Sequence, residues 1–344
     1  MNAKTYYSIQ GLRALAALSV VLLHSGQIVL SRTGVPYEPF IAFDSGIDVF
    51  FIISGFVMVI TTADKWGQPG ASLPFLWRRI VRIVPLYWLI TGLLLLSSRP
   101  HPSLTWYTVA SFLFIPAWNS MHHMFPLLAM GWTLSFEMFF YLLFAIMLAL
   151  QVRPVWWLSA VLAAASGMGL FFRDKGLAIA TLLNPMLMEF VFGMWIGIAV
   201  LSRRFLPTRL ILVAVPAMLL PMMVTSAMSA ASALQFRLIF WGIPGAVLVW
   251  SAVSLEEQSH VVWKGLLSVL GDASYSIYLT HEFFLIPLGN IIAKHPLKGA
   301  FPIASLSVLC LVLPALAGVA IHYGVERPMT RLLRAKTWVR RESK

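Results

Sequence analysis

Apolar runs of about twenty residues follow one another along almost the whole of this 344-residue chain. A hydrocarbon bilayer core is roughly 30 Å thick, and about 20 residues of helix cross it. A chain built of such runs has few options besides a bundle of membrane-spanning helices, because lipid offers no partners for open backbone groups. Composition agrees: hydrophobic residues make up 59% and charged residues 11%, and mean hydropathy is +0.83. A soluble domain carries about 25% charged residues. The runs predict an all-α, polytopic bundle of about ten spans, at 8–30, 46–63, 80–97, 131–151, 154–172, 176–201, 208–227, 236–254, 273–293 and 301–324. Residues 1–330 read as one transmembrane domain and 331–344 as a short basic tail. The stretch 104–117 is apolar but short and holds Pro116; it reads as an interfacial or re-entrant piece, with an eleventh span as the other reading. The first run reads as a retained helix, not a cleaved leader.

The net charge of +12 does not point to nucleic acid, because the basic residues sit in short loops between apolar runs. With the N-terminus inside, most of the 25 Lys and Arg fall on the inner side. An even number of spans then puts both termini in the cytoplasm. The single cysteine, Cys310, lies in an apolar run and reads as a small packing residue.

Ionisable residues within a span are costly and mark function by default. His24, Glu137, Glu189 and His281 qualify. Counted along the predicted spans, His24 and Glu137 each lie about six residues, or roughly 9 Å, from an outer helix end. Near the inner ends stand Arg13, Arg79 and Arg82. Arg79 and Arg82 are three apart and share a helix face, which suits phosphate groups. Arg13 and His24 are eleven positions apart, about 16 Å along one helix, a span comparable to a phosphopantetheine arm. A CoA thioester held at the inner face would reach His24. A neutral imidazole can take the proton of an attacking hydroxyl, and a carboxylate can orient it. With one cysteine and no serine elbow, direct transfer is favoured over an acyl-enzyme.

Each residue has a plainer reading. A lone histidine in a span can be a helix–helix hydrogen-bonding group; Glu137 can pair an arginine; Arg79 and Arg82 can be cytoplasmic anchors. His281, with Tyr278 on the same helix, can line a donor tunnel or simply pack. Glu189 reads as structural. His122 and His123 lack further ligands, so no metal site is expected. Intramembrane charges also suit a transporter or flippase for a lipid-linked sugar, although no repeat of the halves is visible.

Six stretches taken in order resemble the acyltransferase-3 family of bacterial membrane O-acyltransferases: SIQGLRALAALSVVLLH (8–24), GIDVFFIISGF (46–56), RRIVRIVPLYW (78–88), GWTLSFEMFFY (131–141), LGDASYSIYLTH (270–281) and VERP (325–328). Within the family the chain looks closest to exopolysaccharide acetyltransferases of the succinoglycan type. The resemblance implies an acyl-CoA donor, with acetyl-CoA expected, and no permanently bound cofactor. It implies a polysaccharide or lipid-linked oligosaccharide acceptor and residence among the lipids of the inner membrane. It also implies that His24 is essential and that Arg13, Arg79 and Arg82 lie on the donor path, with His281 and Tyr278 beside it. Ser54, Trp132 and Tyr141 lie in the matching stretches and are candidate substrate-binding residues; packing and interface roles are their alternatives.

Overall fold

The computed structural model describes residues 5–33, 40–98, 105–119, 124–172, 178–228, 230–258, 264–295 and 300–335. His122, His123 and most of the 331–344 tail lie outside the described residues. Fourteen α-helices are present among the described residues, and no strand. They are α1 Tyr7–Ile28, α2 Gly46–Thr62, α3 Ser72–Ser97, α4 Trp106–Phe112, α5 Gly131–Ala149, α6 Pro154–Phe172, α7 Leu187–Leu201, α8 Thr208–Val224, α9 Ala230–Gln235, α10 Ile243–Glu257, α11 Leu266–Asp272, α12 Ser274–Lys294, α13 Ala300–Ile321 and α14 Arg327–Ala335. Eight helical segments among the described residues are long and apolar enough to cross a membrane, and 154–169 and 208–224 are shorter apolar helices. Each coincides with one of the ten apolar runs read from the sequence.

Three boundaries differ from the sequence reading. Helix α3 starts at Ser72 instead of 80, because arginine is a good helix former and the helix does not stop where apolarity does. Arg79 and Arg82 therefore lie about 10 and 15 Å inside the helix. The 104–117 stretch contains only the seven-residue α4, about 10 Å long and too short to cross; the eleventh-span reading is set aside. After α13 a π-helical turn at His322–Glu326 leads into α14, which runs through position 330 to Ala335.

The chain forms two compact units, Met1–Ile53 with Ile196–Tyr323, and Ser54–Trp195 with Gly324–Lys344. In the first unit, α1 packs on α10, α11, α12 and α13. Its buried face is made of small residues, among them Ser8, Gly11, Ala14, Ala17 and Ser25, which let helix backbones approach closely. The approach is tightest at Gly271, where an added Cβ would sit 2.1 Å from the Gln10 carbonyl oxygen.

The start of α1 is capped from a distance. The Tyr7 and Ser8 amides donate to the two Glu256 carboxylate oxygens at 2.9 and 2.7 Å, satisfying two of the open N–H groups of the first turn. Burial first, and a hydrogen bond to Glu257 second, push the Tyr6 phenol well above its ordinary range. Glu256 and Glu257 lie beyond the apolar run that ended at 254, so hydropathy did not find this clasp.

In the second unit, α3 and α5 run antiparallel. Ser72 Oγ donates to the Ala145 carbonyl at 2.7 Å, the Phe75 ring stacks on Phe144, the Arg79 guanidinium lies 5.7 Å from the Tyr141 ring centre, and Gly131 faces the Tyr87 ring. A second close approach joins α2 to α7: a Cβ on Gly55 would come 2.1 Å from the Phe190 carbonyl oxygen.

Candidate active site

In the first unit, α1 and α12 bring two histidines together. His24 Nδ1 and His281 Nε2 are 3.1 Å apart, and the ring centres are 5.0 Å apart. His281 is fully buried, and its Nδ1 lies 2.7 Å from the Tyr278 carbonyl one turn back. His24 is half-buried. The Glu282 carboxylate is the third member of the group: one ligand atom from each of His24, His281 and Glu282 lies within 4.8 Å of the others. The spans read from the sequence include position 282, but Glu282 was missed. The available signal was its place beside His281 in the middle of an apolar helix.

Tyr278 joins this group through its backbone carbonyl, while its ring sits between Phe50 and His281. Arg13, eleven residues before His24, is tied to the α11–α12 corner. Its Nε donates to the Gly271 carbonyl at 3.3 Å and a terminal nitrogen to Ser274 Oγ at 2.9 Å. Those bonds fix its direction at the corner.

A second polar cluster in this unit was also missed. Arg237, at the start of the 236–254 run and not singled out there, is buried. It donates to Asp44 at 2.6 Å and to both Asp48 oxygens at 3.0 and 2.7 Å, and its guanidinium lies 4.8 Å from the Trp241 ring centre. The paired geometry satisfies charges that burial makes expensive.

In the second unit, Glu137 is held by two donors, Ser54 Oγ at 2.8 Å and the Tyr141 hydroxyl. Arg79 lies against Tyr141 and Phe75, and its Nε has no hydrogen-bond acceptor among the described residues. Arg82 is half-buried one turn on. Counting from helix ends had put Glu137 near the outer face and the arginines at the inner face. The observed register puts Glu137, one turn from Tyr141, level with the Arg79–Arg82 turn. The reason is that α5 meets α3 at Tyr87 and not at the outer end of α3. Trp132 packs edge-on against Phe136 and lines a small cavity with Tyr107, Ser111, Phe114, Ser135 and Thr181. Phe114 there has φ +61°, an uncommon backbone for a bulky residue. Glu189 is fully buried on α7.

Residues 6–323 match the acyltransferase-3 family, described as an acyltransferase domain. The chain is 34% identical over 315 residues to the exopolysaccharide production protein ExoZ of Rhizobium meliloti (strain 1021), covering 85% of this chain and 91% of that one. It is 30% identical over 376 aligned positions to the acyltransferase MdmB of Streptomyces mycarofaciens, covering 95% and 92%. No solved structure matches the chain significantly. With that coverage, and with apolar helices long enough to make it a multi-pass membrane protein, the chain belongs to the acyltransferase-3 family and is a membrane O-acyltransferase.

Proposed function

We propose that the protein resides in the bacterial inner membrane with both termini in the cytoplasm. There it moves an acetyl group from cytoplasmic acetyl-CoA to a hydroxyl of a cell-surface polysaccharide or its lipid-linked precursor. The observation that carries this reading is the half-buried His24 imidazole, on the same helix as Arg13 and held by a second histidine, His281 of α12. In this scheme the bare nitrogen of His24 takes the acceptor hydroxyl proton as that oxygen attacks the thioester carbonyl. The carbonyl–sulfur bond breaks, and the departing CoA thiolate takes the proton back from the imidazolium. One ester and one CoA thiol result, with no covalent enzyme intermediate.

Arg13, Arg79 and Arg82 are the proposed phosphate ligands of the donor. A buried guanidinium with an unengaged Nε supports this for Arg79. Glu137 is the second proposed catalytic group. Its neighbours Ser54, Tyr141 and Arg79 suggest a nearer duty, keeping that arginine's surroundings ordered. Tyr278 and His281 flank the donor end, and Ser54, Trp132 and Tyr141 stay as acceptor-side proposals. The name of the ExoZ relative favours an exopolysaccharide as acceptor.

The test is the acetyl content of exported glycan in cells making His24→Ala at normal protein level. Loss of acetylation supports the reading, and unchanged acetylation overturns the role of His24. Binding and consumption of labelled acetyl-CoA by the purified chain checks the donor.

A further inference from the structure

The two histidines of α1 and α12 form a chain of hydrogen bonds with only one consistent direction when both rings are neutral. A backbone carbonyl accepts and never donates. The ring nitrogen 2.7 Å from the Tyr278 carbonyl, His281 Nδ1, is therefore an N–H. A neutral imidazole has one N–H, so His281 Nε2 is an acceptor. The atom facing it at 3.1 Å, His24 Nδ1, must then donate. His24 Nε2 is left with its lone pair, turned away from the pair.

We propose that His281 is a positioning residue that fixes the proton of His24 on Nδ1 and so presents a bare Nε2 to the acceptor hydroxyl. The proposal rests on His24 serving as the base. It gives a duty to a fully buried histidine whose ring touches another imidazole and a backbone carbonyl. It also weighs against using the same residues as a metal site. Glu282 is near enough to complete a three-ligand group, but a metal needs both facing nitrogens without protons, and this chain of bonds puts a proton between them.

The experiment uses the full chain in lipid nanodiscs with 15N-labelled histidine, His24 being assigned by its loss in His24→Gln. The expected result is a protonated Nδ1 and an unprotonated Nε2 at His24. In His281→Phe, which keeps an aromatic ring and removes the acceptor, the other tautomer should appear. Its kcat should fall roughly 10- to 100-fold with the KM for acetyl-CoA unchanged, in line with loss of part of a general-base effect. His281→Asn, whose amide oxygen can accept, should recover part of the rate. A proton on His24 Nε2 in the wild type overturns the inference. So does a doubly protonated His281, or a stoichiometric Zn2+ that purified protein holds and His281→Phe loses. A His281→Phe variant with wild-type kcat overturns it as well. Retained acetylation in His24→Ala strikes the base reading instead, whereas a wrong tautomer with an inactive His24→Ala strikes this inference and leaves that reading standing.

Discussion

The two units solve the problem of polar groups among apolar helices in different ways. At its candidate site the first sets a histidine pair, a group that carries no charge until it takes a proton, between α1 and α12 by small-residue packing, while its buried Arg237, Asp44 and Asp48 charges are paired among themselves. The second uses permanent charge: Arg79 lies against Tyr141 and Phe75, and Glu137 is held by Ser54 and Tyr141. A neutral pair can serve a step in which charge appears and vanishes. A guanidinium with a fixed plane suits a ligand that is charged throughout, such as a phosphate. On the proposed reading, the histidine pair is the place to perturb for chemistry and Arg79 a place to perturb for donor binding.

The largest expected contrast is between His24→Gln and Arg79→Ala. Steady-state kinetics on purified protein should show kcat lowered roughly 10²- to 10⁴-fold for His24→Gln with little change in the KM for acetyl-CoA. Arg79→Ala should raise that KM about 10- to 100-fold, the worth of one charge-assisted bond of about 1.5–3 kcal/mol, with Arg79→Lys restoring little. If both variants lose the same parameter, the division of labour between the units fails.

A smaller effect is expected at the two glutamates. Glu137→Gln keeps an acceptor for Ser54 and Tyr141 while removing charge, so it should act on the donor KM, by about 3- to 10-fold if one weak charge interaction is lost. Glu282→Gln should act on kcat by a similar factor, because its carboxylate lies near the ring that becomes an imidazolium. An effect of Glu137→Gln confined to kcat would return that residue to the histidine's side of the comparison.

Least is expected from Glu256→Gln, which weakens the clasp on the start of α1 without touching either cluster. Thermal unfolding in detergent should show a loss of about 1 kcal/mol, the usual worth of a helix cap, with kcat unchanged in protein that stays folded. Lost activity at unchanged stability would mean that the placement of α1 is less robust than its packing on α10 to α13 indicates.

Much of the architecture was legible because hydropathy is a local property. Each apolar run became a helix where expected, and α4 was short enough to settle the 104–117 stretch. His24, Arg13 and Glu137 stood out for a similar reason, since one polar residue in an apolar helix needs no tertiary information to be noticed. Boundaries hidden in charged turns were not legible. The start of α3 at Ser72 and the end of α10 at Glu257 lie outside any apolar run, and the first of these moved the arginines into the helix. Arg237 was not singled out because a cation at the edge of an apolar run and a buried, paired one have the same sequence signature until Asp44 and Asp48 are brought to it.

What the sequence determined by itself, then, was a polytopic helical bundle with the marks of a membrane acyltransferase and a histidine within its first helix. Only the tertiary structure decided partnership. It gave His24 a second histidine 257 positions away and set Glu137 level with Arg79. Depth counted from the ends of separate helices cannot supply this, because register between helices is fixed by close contacts such as Gly271 on Gln10 and Gly131 on Tyr87, and no single helix encodes them.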